Sequence, residues 1–211
     1  MALVESLVDP FNGTSLNTGL WTQTLGHTTT MSYNATGASV NMPSTTNASD
    51  IGQLTSNATY DFTGSSITLH TVTALNVATA ASESMLLYID GNNFTRIVAF
   101  NGNIYFQINK AAAVTTVASI AYSATTHAYW RMSESTNVVT WWTSSDGVSW
   151  TSQGTFTHGM TLTAMAVWIR GMTTGVVTSP GTFKFNLLNN VSGTLQMPLI
   201  VSQAINRSYT Y

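Results

Sequence analysis

His127-Ala128-Tyr129-Trp130-Arg131-Met132, then Val138-Val139-Thr140-Trp141-Trp142-Thr143-Ser144-Ser145-Asp146-Gly147-Val148-Ser149-Trp150-Thr151, is the stretch that decides the fold. Apolar and polar side chains change places every second residue, the period of a half-buried strand. Trp130 and Met132 share one face of the first strand, and Val138, Thr140 and Trp142 share one face of the second. Paired across a hairpin, these faces are expected to carry aromatics to the core, with Trp150 added to them. Trp141 and Tyr129 then fall on the open face. Asp146-Gly147 supplies the tight turn, because both residues tolerate positive φ.

The same period runs through most of the chain. Ile104, Phe106 and Ile108 alternate with Tyr105 and Gln107; Phe183, Phe185 and Leu187 with Lys184 and Asn186; Ile67 and Leu69 with Thr68 and His70. Asp90-Gly91 and Asn101-Gly102 separate further strand-like runs, so a meander is expected. Leu162–Ile169 is apolar on both parities and reads as a central strand covered on both faces. Ala74–Ser84 and Ala111–Ala121 lack an apolar stripe and read as loop or irregular strand. The fold class is all-β, an antiparallel two-sheet sandwich or jelly roll. Residues 1–190 form the domain; 191–211, with Leu199, Ile200, Val201, Tyr209 and Tyr211, reads as an apolar C-terminal arm for subunit contacts.

Composition narrows the function classes. Only 7% of the 211 residues are charged, against about 25% in an average domain, so hydroxyls and amides must keep the surface wet. Six Lys+Arg against eight Asp+Glu give a net charge of −2, too few cations for the basic stripe that nucleic acid or an anionic membrane requires. With no cysteine there is no disulfide, thiol nucleophile or Cys zinc site. The first ten residues lack a cationic start, and Glu5 and Asp9 interrupt their apolar run, so no signal peptide is expected.

Three segments together resemble the concanavalin A-like (laminin G-like) jelly rolls. Asp9-Pro10-Phe11-Asn12-Gly13-Thr14-Ser15-Leu16-Asn17 with Trp21 resembles their opening, the His127–Thr151 hairpin resembles their Trp-Arg and Ser-x-Asp-Gly-x-x-Trp pair, and Gly181-Thr182-Phe183-Lys184-Phe185-Asn186-Leu187 resembles their close. The resemblance covers about residues 9–188 and implies the fold; variants with this hairpin and low charge look like those of actinobacteriophage virion proteins.

Chemistry on this fold needs particular residues. A glycosidase needs two carboxylates across the scissile bond, about 5–9 Å apart. The Glu-x-Asp-x-x-Glu strand of the jelly-roll glucanases is not present, nor is a Gly-x-Ser-x-Gly elbow. No catalytic residue and no enzyme are therefore expected. The four histidines have no metal-ligand spacing, and no cofactor is expected; calcium, if held, would fall to Asp50 and Asp61. Arg131 and Arg170 lie inside apolar strands and are expected to be structural, with Glu134 as partner for one of them.

The functional expectation is a non-catalytic bacteriophage virion protein, a capsid decoration or minor tail protein located in the virion. Its partners would be other virion proteins, copies of itself and host surface polysaccharide, with no nucleic acid and no membrane. The alternative is a lectin-like carbohydrate-binding module. Tyr122, Tyr129 and Trp141 are the candidate glycan or partner contacts for either, since sugar rings stack on flat apolar faces.

Overall fold

The computed structural model describes residues 1–44 and 49–190. After one turn of 3-10 helix at Val4–Ser6 come β1 (Trp21–Leu25), β2 (Thr30–Asn34), β3 (Gly37–Met42), β4 (Ile51–Ser56), β5 (Ser66–Thr73), β6 (Ala81–Asp90) and β7 (Asn93–Phe100). Then follow β8 (Asn103–Lys110), β9 (Ala113–Ala121), β10 (Tyr129–Ser135), β11 (Val138–Ser144), β12 (Thr151–Thr157), β13 (Ala166–Thr173) and β14 (Gly181–Asn186). They form two antiparallel sheets of seven strands, in the orders β1-β4-β13-β6-β7-β8-β9 and β12-β11-β10-β5-β14-β3-β2. The sheets lie face to face, with β9 near β12, β7 near β10 and β4 near β3. The arm residues Leu199, Ile200, Val201, Tyr209 and Tyr211 lie outside the described residues.

Alternation builds the core. Ile104, Phe106 and Ile108, Met85 and Leu87, and Val167 and Ile169 point inward from the first sheet; Ile67 and Leu69, Trp130 and Met132, and Phe183 and Phe185 meet them from the second. Aromatic rings run through this layer in contact, Phe11 edge-on to Phe185 at 5.1 Å and Phe183 beside Phe185 at 5.0 Å. Such pairs add about 0.5–1.5 kcal/mol beyond the area they bury. At Gly52 a Cβ would stand 2.4 Å from Val40 Cγ1, so this position lets β4 approach β3.

Strand twist sets the hairpins. Asn101 and Gly102 both take positive φ, the mirror-image turn that matches right-handed strand twist. Ala111-Ala112 and Thr136-Asn137 adopt the same conformation without a glycine. The alanine-rich run after the first of these is β9, an edge strand laddered to β8 with one register shift opposite Phe106 and Gln107, in line with the irregular strand expected and not with a loop. Leu162–Ile169 also differs from expectation: the strand begins at Ala166, and although β13 sits between β4 and β6, only its odd residues face the core.

The ends of the domain are tied together by Asp9. Its Oδ2 accepts the indole N–H of Trp21 at 2.9 Å and its Oδ1 the backbone N–H of Phe11 at 2.7 Å. Its own backbone pairs with Leu188, and the Asn189 amide donates to the carbonyls of Val4 and Leu7. The opening motif is thus a clamp between the first strand and the end of the last. Asp9→Ala should lower the unfolding free energy by about 2–4 kcal/mol, because two buried donors lose a charged acceptor; denaturant titration showing a change below about 0.5 kcal/mol would contradict this role.

Candidate functional site

The even residues of β13, β6 and β7 and the odd residues of β8 point away from the core. They build one surface on the first sheet. Across it run Arg170, Ser84, Val98 and Tyr105 in one register row, and Trp168, Leu86, Arg96 and Gln107 in the next. β6 lies between the two arginine-bearing strands and offers only serine at positions 82 and 84, so the surface is hollow there. The result is a cleft of about 530 Å³ lined by residues that include Ser82, Arg96, Phe100, Tyr105, Gln107 and Arg170.

Its two guanidinium groups give it an excess of donors, beside the Ser82, Tyr105 and Thr174 hydroxyls, which both donate and accept. Arg96 spends its Nε on Gln107 Oε1 at 2.8 Å, and Gln107 passes its amide N–H to Thr116 at 2.9 Å. Among the described residues, Arg170 Nε and Trp168 Nε1 are buried and have no acceptor, and neither arginine is ion-paired. Burial, with the like charge of Arg170 beside it, pulls the Arg96 guanidinium down to about 10, so it stays protonated near neutrality. Burial also lowers Arg170. Beyond the arginines, Trp168 stacks on Tyr88 with ring centroids 3.9 Å apart.

Solved structures on which the chain superposes include carbohydrate-active enzymes. The chain superposes on a Bacillus licheniformis β-glucanase with TM-score 0.65 and 15% identity, over 86% of this chain and 95% of that one. A Crh5 transglycosylase gives 0.64 and 15% over 89% and 84%. A β-1,3-1,4-glucanase (lichenase) from a mouse hindgut metagenome gives 0.63 and 7% over 86% and 96%. The fold is a concanavalin A-like jelly roll. No protein-family model and no curated protein sequence matches the chain. These likenesses overturn the expectations of a non-catalytic chain and of a phage virion protein: this jelly roll keeps the company of glucanases and a transglycosylase.

The jelly roll redistributes the sequence candidates. Trp141, expected to be exposed, is fully buried, and its indole N–H reaches across the sandwich to the Arg96 carbonyl at 3.1 Å. Trp142 takes the outer side and donates to Ser133 at 3.0 Å. The reversal follows from register: Met132 faces Trp141 and Arg131 faces Trp142. Tyr122 is also corrected, since its hydroxyl points inward to Glu83 at 2.7 Å. Tyr129 does lie on an outer face, stacked on His70 at 4.1 Å, but on the sheet opposite the cleft. Arg131 sits there too, over the Trp150 ring, and not against Glu134.

The carboxylates are dispersed. Glu134 accepts backbone N–H groups of Gly64 and Asn137 and lies 3.5 Å from His158 Nε2. Asp50 is buried 3.1 Å from His27, whereas Asp61 caps an exposed turn through Thr63 N–H at 2.8 Å. Among the described residues no three His, Asp or Glu side chains converge on a metal position. Asp90 and Asp146 serve turns, and backbone N–H groups of Ser149 and Val148 hold the Asp146 carboxyl below its usual range. What the sequence reading missed is the set Arg96, Phe100, Tyr105 and Gln107. Arg96 inside an apolar run was the available signal.

Glu83 is the outlier. It lies wholly inside the core, and burial pushes its carboxyl up to about 8 despite hydrogen bonds from Tyr122 O–H and Leu75 N–H. The folded chain therefore keeps a proton that the unfolded chain releases from pH 4.5 upward. Its stabilisation is complete below that pH and is lost progressively as pH rises to about 8. Gln can accept from Leu75 N–H through its oxygen and donate to the Tyr122 oxygen through its amide, without ionising. The melting temperature of the wild type minus that of Glu83→Gln should fall steadily over this interval, and a flat difference would contradict the buried neutral carboxyl.

Proposed function

We propose that this chain is a carbohydrate-active jelly roll that holds a glycan in the cleft over β13, β6, β7 and β8. The observation that carries the reading is the cleft's chemistry: aromatic rings of Phe100 and Tyr105 beside directed polar groups of Ser82, Gln107, Arg96 and Arg170. Sugars present exactly such a mixture in reverse, with apolar C–H faces that stack on rings and hydroxyls that accept hydrogen bonds. The likeness to a β-glucanase, a transglycosylase and a lichenase supports the same reading. Rigid strands carry every one of these side chains, so little ordering is needed on binding.

Binding is measurable by affinity electrophoresis against a panel of neutral and acidic polysaccharides, with reducing-sugar release followed on the same panel. Phe100→Ala and Tyr105→Ala should each weaken binding about tenfold, the equivalent of one stacking face at roughly 1.4 kcal/mol. Trp142→Ala, on the opposite sheet, should leave it unchanged. Retention of full affinity in both cleft variants would refute the assignment of the glycan to this surface.

A further inference from the structure

We propose that the glycan is anionic, and that a carboxylate of a uronic acid or a sulfate ester sits between Arg96 and Arg170. This deepens the glycan-binding reading and rests on it. The cleft gathers two of the chain's six cations and none of its eight carboxylates among its lining residues. Half-buried guanidinium groups without a counter-charge are costly, and these two also repel one another. Something that binds there and brings negative charge removes both penalties.

Donor geometry points the same way. Each guanidinium carries five N–H donors in a planar fork. Arg96 commits only its Nε, and among the described residues Arg170 commits none. The buried indole N–H of Trp168, two residues along the same strand face, has no acceptor either. A neutral hydroxyl would answer one donor, whereas a planar carboxylate or a sulfate offers several oxygens to a fork at once. On β6 the residue beside Arg170 is the short Ser84, which leaves room next to that guanidinium, while Leu86 stands beside Arg96. The expectation against nucleic acid and an anionic membrane counted charges over the whole chain; one anionic sugar needs only two cations that converge.

The test titrates the full chain at low ionic strength with two matched pairs of probes, polygalacturonate against its methyl ester and dextran sulfate against dextran. At least one anionic member should bind roughly tenfold or more tighter than its neutral parent. The pair that discriminates tells carboxylate from sulfate. Arg96→Gln and Arg170→Gln should each erase about tenfold of that preference and raise the melting temperature of the free chain, since uncompensated charge is removed. That rise separates lost binding from lost folding. Lys110→Gln, on another surface, should change nothing. Equal binding of charged and neutral forms would overturn the anionic inference while the glycan reading survives; no binding of any polymer would remove both. Equally tight binding of single-stranded DNA through the same arginines would assign the cleft to a different class of partner and also overturn it.

Discussion

Everything in this molecule follows from the need for a dry layer between two seven-stranded sheets. A strand can hide only alternate side chains. Once Ile104, Phe106, Ile108, Val167, Ile169, Trp130 and Phe185 are committed inward, the other parity must face out. The cleft is a consequence of that commitment: Arg96, Arg170, Trp168 and Tyr105 stand on the first sheet's outer side because their neighbours are core. Core and cleft share one set of strands, and the buried indole of Trp141 links them by holding the Arg96 carbonyl from the opposite sheet.

The two sides of the sheet are held to different standards. Inside, three of the buried carboxylates are answered: Asp9 meets Trp21 and Phe11, Glu134 meets Gly64 and Asn137, and Glu83 meets Tyr122 and Leu75. Outside, on the cleft, donors outnumber acceptors. Unanswered polar groups are expensive wherever water is scarce. Buried polar atoms without a hydrogen-bond partner also occur elsewhere among the described residues, at Thr29, Asn109 and Arg131 for example; what sets this surface apart is that two guanidinium groups without an ion pair share one hollow.

Some errors of sequence reading were physical ambiguities. Trp141 and Trp142 are adjacent and alike, so alternation cannot say which is inside; pairing of β10 with both β5 and β11 decides it, and a register shift at this point adds to the difficulty. Ala111-Ala112 and Thr136-Asn137 carry no glycine, and only the twist of the joined strands forces them to positive φ. Arg170 was legible as an arginine in an apolar strand, but its companion Arg96 is 74 positions away in sequence. The two meet because β6 alone separates β13 from β7.

By itself the sequence determined the class of architecture, the inward faces of runs such as Ile104-Phe106-Ile108 and Ile67-Leu69, and the mirror-image turn at Asn101-Gly102, because each depends on neighbours within a few positions or on a local period of two. Tertiary structure alone decided which tryptophan is core, which carboxylates are isolated and which cations share a cleft. Those properties depend on strand order and cross-strand register, which arise from contacts between residues far apart in the chain and leave no trace in any local pattern.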